Sequence, residues 1–153
     1  MLIAEIGWNF LGNLDLAYQM IDEAKKSGAT HVKFQIWDPK FLKRGPWDKD
    51  GRREIYSKAQ ITTSIYKKLL SYSQKKKIKC FVSVCTIRDL KKITKIQNDY
   101  VKIPSMESYN HKLINYALDN FKKVIVSVGA LKKHELIDLK KYSAINNFFI
   151  AHC

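Results

Sequence analysis

Apolar and polar positions along this chain follow two periods that take turns. Short β-branched or aromatic runs alternate with longer stretches that repeat at helical spacing. The short runs fall at residues 2–6 (LIAEI), 31–35 (HVKFQ), 79–84 (KCFVSV), 100–104 (YVKIP), 123–128 (KVIVSV) and 147–152 (NFFIAH). Their Val, Ile and Phe suit a pleated surface. Between the first two runs, Leu14, Ala17, Tyr18, Ile21 and Ala24 share one helical face, Asn13 stands at the capping position, and Gly28 stands where the helix ends. Further amphipathic stretches occupy residues 63–76, 87–96, 110–120 and 132–142. This alternation predicts parallel βαβ construction: an α/β fold of about six parallel strands with intervening helices, forming one domain over residues 1–153. The pattern alone leaves an open doubly wound sheet and a closed barrel as alternatives. One connection breaks the rhythm. Residues 38–61 hold Pro39, Gly45, Pro46 and Gly51 among many charges, and they read as a long loop of the kind that often serves binding.

Composition narrows the class. With 153 residues, 46% of them apolar, the chain can bury a real core. No apolar run reaches the length of a membrane span, and residues 1–8 (MLIAEIGW) lack the features of a secretory signal, so a soluble cytoplasmic protein with no membrane partner is expected. Cys80, Cys85 and Cys153 are odd in number and lack metal-ligand spacing, which points to reduced, mostly buried thiols. The net charge of +14 raises anionic partners, but the lysines cluster near the ends of predicted helices, where they favour the helix dipole and solvate outer faces. No recognition-helix, RNA-sheet or zinc-finger pattern accompanies the charge, so nucleic acid is not expected as a partner.

Chemistry concentrates at the predicted strand ends, where both open sheets and barrels place their ligands. Glu5 and Asn9, Lys33 and Gln35, Ser83, Lys102, Ser105 and Glu107, Ser127, and His152 follow the six runs in turn. A strand lysine can simply snorkel to solvent. Two at equivalent places, Lys33 and Lys102, suggest instead a pocket in which ammonium groups meet a phosphate or carboxylate.

The segments AEIGWNFLGNLDLA, VKFQ, FVSV, VKIPSME, VIVSVGAL and FIAHC stand in the order and spacing of the N-acetylneuraminate (sialic acid) synthase family, which includes the pseudaminic and legionaminic acid synthases. The resemblance takes in essentially the whole chain, including Tyr56, where these enzymes commonly place a tyrosine. It implies an incomplete (β/α)8 barrel of the TIM type. It also implies a reaction in which phosphoenolpyruvate condenses with an N-acetylated mannosamine-like aldehyde, assisted by a divalent metal, Mn2+ or Mg2+. On the matching positions, Lys33, Lys102, Ser105 and Ser127 look like phosphoenolpyruvate ligands, with Ser83 and Asn9 nearby. Gln35 looks like a sugar contact, and Glu5 and Glu107 look like active-site carboxylates, Glu107 being the better general acid/base. Apart from the resemblance, Glu107 also reads as a helix N-terminal acid.

Three positions depart from the family pattern: Phe10 stands where histidine is usual, the segment Ser83-Val84-Cys85 where serine-threonine-proline is, and Val128 where threonine is expected. Each removes a polar group. The family continues past the position of Cys153 into two further strands, the histidine metal ligands and a small antifreeze-like domain, so no residue of this chain is assigned to the metal. His152 reads as structural, and His31, His111 and His134 as surface or capping residues. An open, C-shaped sheet with exposed strand edges is therefore expected, able to associate with itself or with a complementing chain. The alternative to the enzyme is a non-catalytic fragment or subunit that retains an anion pocket.

Overall fold

A computed structural model describes residues 1–41, 44–129 and 131–152. It is an α/β fold of six strands in chain order, β1-β2-β3-β4-β5-β6, and every defined register is parallel. Two compact units divide the chain, Met1–Phe81 and Val82–Cys153. The first holds β1 (Ile3–Gly7), α1 (Leu14–Lys26), β2 (His31–Ile36), α2 (Arg52–Lys58), α3 (Thr63–Lys75) and the start of β3 (Lys79–Val84). The second holds the rest of β3, then α4 (Ile87–Thr94), β4 (Tyr100–Ile103), α5 (His111–Asn120), β5 (Lys123–Ser127), α6 (Lys133–Asp138) and β6 (Phe148–Ala151).

In the first unit, the Asn13 carboxamide oxygen accepts from the amides of Asp15 and Leu16 at 2.9 and 3.1 Å, which starts α1 as its sequence requires. Lys25 and Lys26 occupy its last turn, and Gly28 follows at φ 85°, a left-handed conformation costly for any residue with a Cβ. Ala17 and Ile21 are its buried stripe. Thr62 caps α3 through Ile65, and Tyr66, Leu69 and Ser73 face inward.

Residues 38–61 are not the uninterrupted loop that the pattern suggested. They contain single 3-10 turns at Pro39–Phe41 and Pro46–Asp48, and then α2. This helix has seven residues and buries one of them, Tyr56, while Ile55 faces solvent. One buried position cannot produce a periodic stripe. That tyrosine anchors the helix, and an exposed Glu54–Lys58 pair one turn apart, at 2.8 Å, adds only weak support.

In the second unit, parallel registers set Val82 beside Val101, Val101 beside Val124, and Ile103 beside Val126. These five valines and isoleucines are wholly buried and form one apolar face of the sheet. Thr86 caps α4 through Asp89 and Asn110 caps α5 through Leu113, so Leu90, Ile93, Leu113, Ile114 and Ala117 are buried. The last amphipathic stretch is split between α6 and a 3-10 turn, Leu139–Tyr142. No helix among the described residues is long and apolar enough to cross a membrane.

Cys80 is buried, with its thiol pushed up to about 12 by burial, whereas Cys85 is half-buried; Cys153 lies outside the described residues. His31 corrects the expectation of a surface or capping residue. It is buried, its Nδ1 is 2.8 Å from the Thr30 hydroxyl, and its ring meets Phe81 edge to face. His111 shares a hydrogen bond with the Tyr142 hydroxyl at 3.1 Å, while His134 and His152 are exposed.

Candidate functional site

In β2 the side chains alternate, so Val32, Phe34 and Ile36 take one face and His31, Lys33 and Gln35 take the other. Register places Lys33 beside Glu5 of β1, just before a bulge between Glu5 and Gly7. The two form an ion pair of unequal burial: the Lys33 side chain is 3% exposed and Glu5 50%. A buried ammonium is thus balanced by a carboxylate that still touches water. Gln35 is half-buried and Asn9 is exposed.

Tyr56 is 6% exposed and packs edge-on against Trp8 and Trp37, with ring centroids 4.4 and 4.8 Å away, while the two tryptophans stack at 5.0 Å. Trp8 Nε1 is buried with no acceptor among the described residues. The sequence signal for this cluster was present but unread: Trp37 continues the Lys33, Gln35 alternation, and Trp8 directly follows the bulged strand. Phe10 does not line a polar mouth; it is fully buried against Phe34, edge to face at 5.8 Å.

In the second unit, Ser83, Lys102 and Ile125 are successive register partners on β3, β4 and β5, and therefore share the face opposite the apolar row. Ser127 lies two residues further along β5 on that same face, beside Ala151 of β6. Ser83 and Ser127 are buried and Lys102 is half-buried. No acidic partner of Lys102 occurs among the described residues. Directly after β4, a 3-10 turn carries Ser105 and Glu107. Glu107 accepts from the Asn110 amide nitrogen at 2.9 Å, and Asn110 caps α5, so the carboxylate is positioned at a helix start. The Ser105 carbonyl accepts from the Ser108 hydroxyl at 2.6 Å, which fixes the turn.

The structure thus joins Glu5 with Lys33, and Ser83 with Lys102 and Ser127, and it anchors Glu107. Tyr56 goes to an aromatic cluster and Asn9 to the surface. Among the described residues no three His, Cys, Asp or Glu side chains gather closely enough to hold a metal ion.

Residues 20–153 match the NeuB family. The pseudaminic acid synthase of Campylobacter jejuni subsp. jejuni is 28% identical over 149 residues, covering 90% of this chain and 43% of that protein. The crystal structure of an N-acetylneuraminic acid (sialic acid) synthetase from Leptospira borgpetersenii serovar Hardjo-bovis, in complex with citrate, is similar with a TM-score of 0.85 at 29% identity, over 99% of this chain and 53% of that one. A truncated 3-deoxy-D-arabino-heptulosonate 7-phosphate synthase from Thermotoga maritima, with a TM-score of 0.71 at 14% identity over all of this chain and 50% of that one, shares the fold alone. The fold is that of part of a TIM-type (β/α) barrel, and the chain spans about half the length of the relatives it matches. With the match extending from residue 20 to residue 153, this chain belongs to the NeuB family.

Proposed function

We propose that this chain supplies phosphoenolpyruvate-binding and acid/base groups to an enzyme that condenses phosphoenolpyruvate with an N-acetylmannosamine-like aldehyde, giving a nonulosonic acid. The observation that carries the reading is the row on the second unit's sheet: one half-buried ammonium, Lys102, with the buried hydroxyls of Ser83 and Ser127 on the same face. A cation flanked by hydroxyl donors suits phosphate and carboxylate oxygens. The names of the relatives, synthases of pseudaminic and sialic acids, support the class of product.

In this reading a carbon–carbon bond forms between phosphoenolpyruvate C3 and the aldehyde carbon, whose oxygen becomes a hydroxyl. Water adds at C2 and phosphate leaves, which produces the 2-oxo acid. Lys102, Ser105 and Ser127 hold the anion and Glu107 exchanges the proton, positioned by Asn110. For the first unit, the family resemblance gives Lys33 to the anion, Glu5 to its counter-charge and Gln35 to the acceptor sugar, while Asn9, at the surface, and Tyr56, packed on two tryptophans, are given no part. The family's divalent metal does not fit the described residues, and no step is assigned to it.

Two measurements test the proposal. Phosphoenolpyruvate should raise the melting temperature of the chain, and Lys102→Ala should abolish that rise; an unchanged rise sinks the assignment of Lys102. Phosphate release from phosphoenolpyruvate plus N-acetylmannosamine should vanish in Glu107→Gln. Stabilisation without any turnover would favour a non-catalytic chain that keeps its anion site.

A further inference from the structure

The proposed reaction leaves unused the tryptophans at the ends of β1 and β2, and β1 reaches them by an irregular route. Register pairs Glu5 with Lys33 and Gly7 with Phe34, so the bulge between them takes up one extra residue, Ile6. An offset of one residue moves every later side chain to the other face. Without the bulge Asn9 would continue the face of Glu5; with it, Trp8 falls on the side of Lys33 and Gln35, and Asn9 is left at the surface. The ring contacts agree, because Trp8 stacks at 5.0 Å on Trp37, which continues the Lys33, Gln35 alternation. The ring centroids of Trp8, Trp37 and Tyr56 lie 4.4, 4.8 and 5.0 Å apart, a nearly equilateral triangle. Tyr56 therefore cannot sit on the face of Trp8 that looks away from Trp37, and that outer face meets neither ring. Trp8 is half-buried, whereas Tyr56, which braces the pair, is enclosed. The one polar atom of the Trp8 side chain, Nε1, is itself shielded. What Trp8 can offer a ligand, on the side of Lys33 and Gln35, is a flat hydrocarbon surface.

Little in the reactants of the proposed condensation suits such a surface. Phosphoenolpyruvate is a dense anion and selects ammonium and hydroxyl donors. An N-acetylmannosamine-like aldehyde carries a polar group at every carbon of its chain, and its one purely apolar group is the acyl methyl. We propose that Trp8 is a specificity-determining residue whose outer indole face packs on that methyl, so that the site favours N-acetylated acceptors over formylated or unacylated ones. This role presupposes the proposed function, in which an amino-sugar aldehyde meets Gln35. The selection is by burial: the methyl leaves water against the indole, and an acceptor that lacks it leaves the indole face bare.

Calorimetric titration of the full chain with N-acetylmannosamine, N-formylmannosamine and mannose tests the role, since the first two differ only by the methyl. The parent should bind the N-acetyl sugar about tenfold more tightly than the N-formyl one, the low end of what a single methyl contributes in an apolar contact. Trp8→Ala should erase that preference and leave mannose binding unchanged, whereas Trp8→Phe, which keeps a flat apolar ring, should retain most of it. Trp47→Phe, at a ring that instead lies under the Arg52 guanidinium at 5.9 Å, should match the parent. Equal binding of the N-acetyl and N-formyl sugars by the parent, a preference that survives Trp8→Ala, or no binding of any of the three sugars would overturn the assignment. The comparison of the two sugars on the parent needs no variant, so it decides the matter even if Trp8→Ala fails to fold. The rise in melting temperature with phosphoenolpyruvate, measured alongside, separates the two readings. Its presence without a methyl preference sinks the role of Trp8 alone; its absence from a chain that still prefers the N-acetyl sugar sinks the anion assignment and keeps this one.

Discussion

The Glu5–Lys33 pair makes an asymmetric prediction, because only one of its partners is buried. Breaking a fully buried pair by deleting one member typically costs about 3–5 kcal/mol, nearly all of it the penalty for stranding the other charge. Deleting the lysine here strands a carboxylate that is 50% exposed, which water can solvate. Deleting the carboxylate removes the ion-pair partner of an ammonium that is only 3% exposed and gains little from water. Glu5→Gln should therefore cost about 1–3 kcal/mol, below the fully buried case because part of the pair was already hydrated. Lys33→Met keeps the volume and removes the buried charge, and should stay within about 1 kcal/mol of the parent, of either sign. With a urea dependence of roughly 2 kcal/mol per molar, the first change lowers the midpoint by about 1 M and the second barely moves it. The double variant Glu5→Gln/Lys33→Met should behave like Lys33→Met alone, since no buried charge is left to strand. Urea titrations followed by far-ultraviolet circular dichroism measure all three. Equal destabilisation by the two single changes, or a larger loss from Lys33→Met, would refute the argument that burial of the ammonium sets the cost.

Gly12 and Gly28 both sit at positive φ, 81° and 85°, yet their surroundings differ: a Cβ at Gly12 would run into the Lys58 carbonyl oxygen, whereas one at Gly28 meets open space. Gly28→Ala should cost about 1 kcal/mol and Gly12→Ala clearly more than about 2 kcal/mol, which thermal melts would register as well-separated shifts. Cys80, with its thiol pushed up to about 12, should resist alkylation at pH 8 until the protein is denatured, while half-buried Cys85 reacts in the native state; mass spectrometry of the labelled peptides distinguishes the two. Asp22 is held below the usual carboxylate range by the Lys76 hydrogen bond first and then by Tyr72, so its stabilisation is present above the unfolded pKa near 3.8 and is lost as pH falls through the lowered folded value. Asp22→Asn should flatten the acid limb of stability below pH 4 and leave the slope from pH 6 to 8 unchanged.

The strands were legible because parallel strands covered on both faces read as near-continuous runs of β-branched and aromatic residues, as Cys80 to Val82 and Val124 to Val126 do. Helix starts were legible where a side chain does the capping, as at Asn13. By contrast α2 escaped notice, since seven residues with one buried tyrosine leave no period to detect. The pairing of Glu5 with Lys33 was hidden for another reason. Sequence spacing gives each residue its face, but which residue stands opposite depends on register, and the β1–β2 register that runs from Ile3 to Glu5 holds only until the bulge shifts it before Gly7. Phe10 shows the same gap between composition and direction: an aromatic ring in a loop reads as a change at the site's rim, whereas its contact with Phe34 makes it core.

Lys33 and Lys102 look equivalent in the sequence, each a lone cation within an apolar strand, yet their surroundings assign them different parts. Lys33 is enclosed and already faces a carboxylate, so an arriving anion must share it with Glu5. Lys102 is half-open, and its register neighbours on the shared face are Ser83 and Ile125, a hydroxyl and a hydrocarbon that bring no charge of their own. An ammonium held partly out of water without a counter-ion is the one whose desolvation a bound phosphate relieves most. That difference in burial and pairing is the physical reason to expect affinity for phosphoenolpyruvate to depend on Lys102, while Lys33 chiefly fixes the electrostatics of the strand pair on which it sits.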